Sequence, residues 1–138
     1  MELKLAQAEK MIKAAKEKAR ASGLKMSFVV VDAGGIIVAA ARMDGARKFG
    51  PRIALGKALA SVVIGRTSAE TAVLAKDRPQ VIAALGEIVG GTLFAAEGAV
   101  PILIDGELVG AIGGSGATSA EDLLCAQAGL DAVIKRKN

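Results

Sequence analysis

The sequence predicts an α+β domain in which helices flank an antiparallel sheet. Two stretches rich in β-branched residues, each broken by a short turn, indicate two β-hairpins. Apolar residues at helical spacing occupy the beginning, the middle and the end of the chain. Apolar residues make up 52% of the chain, with no Trp or Tyr and three Phe, so the core is expected to be aliphatic. At 138 residues, the chain is most simply one domain over residues 1–138.

The first third of the chain predicts a helix followed by a hairpin. An amphipathic helix is expected over residues 3–22, ending before Gly23, because apolar residues recur at steps of three and four: Leu5, Ala8, Ile12, Ala15 and Ala19. Two apolar runs follow at residues 26–31 and 36–41, joined by the sequence Asp-Ala-Gly-Gly. This spacing predicts two antiparallel strands.

The rest of the chain predicts helices around a second hairpin. Helical composition returns at residues 53–64, and residues 67–93 are helical in pieces interrupted by Pro79. Residues 100–113 contain two apolar runs around Asp105-Gly106, the strongest short hairpin signal. Pro101 indicates an edge strand or the beginning of a strand. A final helix is expected over residues 119–135.

A hexamer occurs twice, as GRTSAE at residues 65–70 and as GATSAE at residues 116–121. In each copy a Thr stands three residues before a Glu, which is the spacing of a capping box. The residues before the two copies share nothing, since one copy follows a helical segment and the other follows a strand. The repeat therefore indicates one capping device used twice, not a duplicated domain.

The glycine-rich stretch before the second copy has two interpretations. Gly113, Gly114, Ser115 and Gly116 are expected to join a strand to the last helix. Their backbone amides, facing a helix N-terminus, would suit a carboxylate, a phosphate or a carbonyl oxygen. Alternatively, they form a tight turn that needs glycine for its dihedral angles. Neither a phosphate-binding lysine motif nor a dinucleotide fingerprint is present.

Several polar residues stand at element ends or in apolar surroundings and are candidates for a ligand site: Arg42, Asp44, Lys57, Arg66, Glu97, Ser115 and Asp122. Lys57 lies in a helix with almost no other polar side chain, so it either extends to solvent or points into a pocket. Arg42 and Asp44 either pair across their turn or contact a ligand. We expect an anionic ligand at residues 114–117, with Lys57 or Arg66 nearby.

Charge and composition exclude several classes of function. The net charge of +4 comes without the stacking aromatics of a nucleic-acid-binding surface, so no nucleic acid is expected. Cys125 falls in an apolar helical pattern and the chain has no His, which indicates a buried, unreactive thiol and no His/Cys metal site. No apolar run approaches the ~18 residues of a membrane span, and the chain start is charged, so a cytoplasmic protein is expected.

A series of short motifs resembles the GlcG/HbpS-like family, a module also found as the C-terminal part of PduO-type corrinoid adenosyltransferases. In chain order they are VVDAGG from residue 30, RMDGA from 42, KA at 57, GRT from 65, VPI from 100, GAIG from 110, SGA from 115 and AQAGL from 126. The resemblance spans nearly the whole chain. It implies a profilin-like fold, with the N- and C-terminal helices packed on the sheet, and assembly into homo-oligomers, with octamers in some members.

The resemblance also implies a role with haem, corrinoids or small organic acids such as glycolate. The absence of His and Tyr leaves Met, Cys or Lys as ligands for a haem iron, which disfavours haem here. GGSGA replaces the usual GVSGA, and Glu97-Gly98-Ala99 replaces a frequent double glycine. Two functions remain open: a small-molecule-binding protein, with or without metal-free chemistry on an organic acid, or a non-catalytic cofactor carrier. A mean hydropathy of +0.45 further predicts a closed homo-oligomer, and the resemblance implies that it contains four to eight chains.

Overall fold

The computed structural model describes residues 1–134. Its elements, in chain order, are four strands and five helices: α1 (Leu5–Ala21), β1 (Ser27–Asp32), β2 (Ile37–Arg42), α2 (Gly50–Ile64), α3 (Ser68–Asp77), α4 (Pro79–Val89), β3 (Ala99–Ile104), β4 (Glu107–Ser115) and α5 (Ser119–Asp131).

The strands form one antiparallel sheet in the order β2-β1-β4-β3. Asp105 and Gly106 both adopt positive φ, 51° and 80°, as the central residues of a tight hairpin turn between β3 and β4 require. Strand β3 lies at an edge of the sheet, so the edge position predicted from Pro101 is confirmed.

Helices cover both faces of this sheet. On one face α2 packs Ala54 and Ala58 against Val29 and Val31 of β1. On the other face α1 and α5 enclose the larger core, whose central side chains are Met11, Phe28, Ile102, Ile112 and Cys125. Helices α3 and α4 contribute a smaller apolar cluster with α2. The small side chains of α2 let this helix lie close to the sheet. The predicted α+β, profilin-like fold, with the N- and C-terminal helices packed on the sheet, is confirmed.

The predicted elements are all present, with shifted boundaries. Helix α2 begins at Gly50, three residues before the predicted start, because Pro51 is accommodated in the first turn of a helix, where no amide hydrogen is needed. Pro79 separates α3 from α4 by beginning the second helix. Helix α5 ends at Asp131. The predicted end at Lys135 lies outside the described residues.

No single helix in residues 1–134 is both long enough and apolar enough to cross a lipid bilayer. Helices α2 and α3 satisfy that length and composition only as a pair, and they are bent by 79° relative to each other.

Candidate functional site

The glycine-rich stretch belongs to the sheet. Gly113, Gly114 and Ser115 form the end of β4 and pair with β1, so the predicted strand-to-helix loop starts only at Gly116. The prediction placed the strand end too early because glycine is a poor strand former. A Cβ atom at position 113 would overlap the carbonyl oxygen of Ala54. Glycine is therefore required there for the close packing of α2 on the sheet.

Two backbone amides that were predicted to be free for a ligand are already hydrogen-bonded. The Gly114 amide donates to the Gly98 carbonyl oxygen at 2.9 Å, and the Ala117 amide donates to Oδ1 of Asp122 at 2.9 Å. The prediction of free amides is wrong for these two residues. The carboxylate bound by the Ala117 amide is thus that of Asp122, in the first turn of α5.

Lys57 points inward and contacts the same segment. Its Nζ donates to Oδ2 of Asp122 at 2.9 Å and to the Gly114 carbonyl oxygen at 3.1 Å. Lys57 is 4% exposed and Asp122 is 3% exposed. Lys57 comes from the helix on one face of the sheet and Asp122 from a helix on the other, so the ion pair joins the two layers beside Gly98. The ammonium group is occupied by protein acceptors.

Arg42 and Asp44 lie together at a second place, beside α1 and the end of β2. They line a hollow of about 490 Å³ together with Lys16, Arg20 and Lys25. Arg42 and Asp44 form no ion pair with each other in the part of the chain that the structure describes, although both were candidates for pairing across the turn. We call this feature the basic hollow, since four of its charged residues are basic and one is acidic.

Of the remaining predicted residues, Arg66 lies away from both places, whereas Glu97 directly precedes Gly98, which borders the ion pair. Arg66 is exposed and follows the C-terminal end of α2. At a rise of 1.5 Å per residue, that end of the helix lies about 10 Å from Lys57 along the helix axis. Its carbonyl oxygen accepts a hydrogen bond from Ser61 at 2.6 Å. Glu97 is half-buried between α4 and β3.

Sequence reasoning did not identify two groups of polar residues. Lys16, Arg20 and Lys25 were not among the candidate residues, and only the fold places them around Arg42 and Asp44. Ser27 falls within the first predicted strand and was not a candidate. It is fully buried, and its hydroxyl has no hydrogen-bond partner among the described residues. No local sequence signal distinguishes such a serine.

Cys125 is 2% exposed and packs in the core between α1, α5 and the sheet. Burial raises the pKa of its thiol, and the nearby Asp122 carboxylate raises that pKa further. The thiol is therefore protonated and shielded, and the prediction that Cys125 is buried is confirmed. No group of three or more His, Cys, Asp or Glu side chains within residues 1–134 is arranged to hold a metal ion.

The chain is similar to known proteins over nearly its whole length. The profile of a family described as "Haem degrading protein HbpS-like" matches residues 3–131. A 15.0 kDa protein from the dhaT-dhaS intergenic region of Citrobacter freundii is 31% identical, over 92% of this chain and 89% of the relative.

Solved structures show the same fold. An HbpS double mutant from Streptomyces reticuli is 30% identical, with a TM-score of 0.86 over 96% of this chain and 88% of the other. PduOC in complex with haem has a TM-score of 0.84 at 24% identity, over 96% of each chain. At that identity the likeness concerns the fold alone.

Proposed function

The chain belongs to the HbpS-like family, and we propose that it is a small-molecule-binding protein that takes a carboxylate-bearing ligand in the basic hollow. The observation that carries the proposal is the excess of positive charge around this concave surface. Lys16 and Arg20 approach from α1, Lys25 from the following turn, and Arg42 from the end of β2. Such a set attracts and orients an anion, and Arg side chains bind carboxylates in a bidentate manner.

The size and the remaining walls of the basic hollow define the ligand further. A volume of about 490 Å³ falls within the range of pockets that bind small molecules. Its apolar walls are Leu24, Ala41 and Met43, which are partly buried against the main core. Asp44 adds one hydrogen-bond acceptor. We therefore infer a small organic acid with an apolar portion and a hydroxyl or amino donor.

The donor atoms of this chain do not fit an axially ligated haem. Haem iron in proteins is bound by His, Cys, Met or Tyr, and the chain contains no His and no Tyr. Cys125, Met11 and Met26 are buried in the core, which leaves Met1 and Met43 as sulfur donors near the surface. The family's description as haem-degrading is thus a weaker guide for this chain than the charge of the basic hollow. A haem- or corrinoid-carrying module is the alternative function.

The test is a calorimetric titration with short hydroxy acids, dicarboxylates, their neutral amides and haem. We expect binding of one or more acids and none of the corresponding amides. Arg20→Gln and Arg42→Gln should each weaken binding by about 1 kcal/mol, roughly fivefold, because a charge-assisted hydrogen bond is lost. Arg66→Gln is the matched control, since it removes the same charge at an exposed position away from the hollow.

The proposal fails if no acid binds, or if Arg66→Gln weakens binding as much as Arg42→Gln. A haem titration that shifts the Soret band, with acids inactive, would support the alternative function.

We also propose that the protein assembles with copies of itself. Ile36 and Ile37 of the first hairpin and Val89 of α4 are exposed and line an apolar groove of about 800 Å³. An exposed apolar surface of this kind is typical of an interface. Sedimentation at micromolar concentration should show four to eight chains. Ile36→Lys should shift the distribution toward smaller species, whereas Leu124→Lys, at an exposed apolar position on α5, should not. A monomeric parent protein would contradict the proposal.

A further inference from the structure

The segment that joins β2 to α2 presents positive charge to solvent. Residues 42–52 contain four basic side chains, and all four are exposed: Arg42, Arg47, Lys48 and Arg52. Asp44 is the acidic residue of this segment, and the sequence contains no further Asp or Glu before Glu70. The positive charge of the segment is therefore largely uncompensated by the segment itself.

Lys25 connects this segment to the basic hollow. A Cβ atom built on Gly45 would lie 2.8 Å from Cδ and 3.2 Å from Nζ of Lys25, so the Lys25 side chain lies against the turn that follows β2. Lys25 also lines the basic hollow. The segment and the hollow thus form one continuous surface, which we call the basic face. It carries seven basic residues: Lys16, Arg20, Lys25, Arg42, Arg47, Lys48 and Arg52.

An exposed aromatic ring lies within the basic face. Phe49 directly precedes α2, and 64% of its surface is exposed. Arg47 and Lys48 come immediately before it, and the Arg52 guanidinium lies 5.6 Å from the centroid of its ring. The attraction between a cation and the face of an aromatic ring keeps this charge beside the ring. Apolar rings bordered by Lys and Arg are the composition with which proteins bind in the interfacial region of a membrane.

We propose that the basic face docks on an anionic lipid bilayer, with the Phe49 ring in the interfacial region and the surrounding basic side chains against lipid phosphate and carboxylate groups. Each Lys or Arg near such a surface strengthens binding about fivefold. Binding at the interface requires no membrane-spanning helix. Docking is separate from the function proposed for the basic hollow, because Arg47, Lys48 and Phe49 do not line that hollow.

A bilayer fits the basic face better than a nucleic acid does. Single strands bind to several aromatic side chains on which successive bases stack. The chain has three Phe residues and no Trp or Tyr. Phe28 is buried in the core, and Phe94 packs beside Gly56 further along α2, so the start of α2 offers one ring. A single ring surrounded by positive charge suits the plane of a membrane surface.

The test is co-sedimentation of the full chain with vesicles of phosphatidylcholine alone and with vesicles of mixed phosphatidylcholine and phosphatidylserine, at low and at high salt. We expect the protein to bind the mixed vesicles, to bind them more weakly at high salt because the charges are screened, and to stay in the supernatant with phosphatidylcholine alone. No binding to the mixed vesicles, or equal binding to both kinds, would overturn the proposal. Single-stranded RNA and duplex DNA are titrated in parallel, and a nucleic acid that binds while the mixed vesicles do not would also overturn it.

Two variants and two matched controls locate the docking surface. Phe49→Ala should weaken binding to the mixed vesicles about tenfold, because an apolar ring no longer enters the interface, and Lys48→Gln should weaken it about fivefold. Phe94→Ala removes an exposed ring outside the basic face, and Lys76→Gln removes an exposed cation at the end of α3, so both controls should bind like the parent.

All four substitutions are at exposed positions, so each variant should keep the melting temperature of the parent. Lys48→Gln should also still bind acids in the basic hollow, which makes the loss of docking and the loss of the ligand separate outcomes. The proposal is overturned if Phe49→Ala binds the mixed vesicles as tightly as the parent, or if the controls weaken binding as much as their counterparts.

Discussion

The two copies of the repeated hexamer begin their helices in the same way. Thr67 accepts from the Glu70 amide at 3.2 Å, and Thr118 accepts from the Glu121 amide at 3.2 Å. In both copies the glutamate side chain returns to the backbone amide of the threonine, at 3.3 Å and 3.2 Å. The capping box is therefore reproduced with nearly the same geometry at the start of α3 and at the start of α5.

The two copies differ in which residue holds the helix to the rest of the fold. In the first copy Ser68 is buried and bonds both backbone groups of Ala99, whereas the corresponding Ser119 is exposed. In the second copy the residue after the glutamate is Asp122, which binds Lys57 and the Ala117 amide. The threonine and the glutamate thus set where each helix begins, and a neighbouring residue that makes no capping bond sets what the helix attaches to.

The largest loss of stability is expected from breaking the Lys57–Asp122 ion pair, which attaches the second copy to the rest of the fold. Lys57→Met leaves the Asp122 carboxylate buried without its cation, and we expect a loss of about 3–5 kcal/mol in the free energy of unfolding. Denaturant unfolding measures this loss. The double variant Lys57→Met/Asp122→Leu should recover much of it, because neither charge then remains buried. A loss below about 1 kcal/mol for Lys57→Met would show that the pair does not hold the two layers together.

Replacing the first glycine of each copy should give the next largest difference between the two copies. Gly116 has a φ of 134° and a Cβ there would lie 2.7 Å from the Lys25 carbonyl oxygen, whereas Gly65 has a φ of 74° with open space around it. Gly116→Ala combines backbone strain with a clash and should cost about 2–4 kcal/mol. Gly65→Ala meets only the left-handed penalty of about 1–2 kcal/mol. Thermal unfolding of both variants checks the difference, and equal losses would contradict it.

Features set by residues close together in the sequence could be predicted, whereas contacts between distant residues could not. The Asp105-Gly106 turn and both capping boxes were predicted correctly, because each depends on residues at most four positions apart. The inward orientation of Lys57 stayed open, because its partner Asp122 lies 65 residues away.

The site was less predictable than the fold. The basic hollow joins the end of β2 to α1, and no motif links these segments in the sequence. The unpartnered hydroxyl of Ser27 depends on the approach of α2, whose start was predicted at residue 53, three residues after its start at Gly50. Positions that depend on the packing of a helix against a distant strand need the folded structure.

Replacing the serine that follows each capping threonine should give a smaller difference in stability between the two copies. Ser68→Ala removes a hydroxyl that donates to the Ala99 carbonyl at 3.2 Å and accepts from its amide at 2.7 Å. The buried amide then lacks a partner, which should cost about 1–3 kcal/mol. Ser119→Ala, at an exposed position, should change stability by about 0.5 kcal/mol or less. Urea unfolding measures both losses of stability, and comparable losses for the two variants would contradict this prediction.

The smallest difference is expected at the capping threonines themselves. Thr67→Ala and Thr118→Ala each remove one side-chain acceptor from a capping box, so each should cost about 1 kcal/mol. The backbone bonds at both positions are unaffected by the substitution: the Thr67 carbonyl still accepts from the Thr71 amide, and the Thr118 carbonyl still accepts from the Asp122 amide. The two losses should therefore agree within about 0.5 kcal/mol, which urea unfolding at one temperature can resolve. A markedly larger loss for Thr118→Ala would show that its cap also holds Asp122 in place against Lys57, and the local device would then not be equivalent in the two copies.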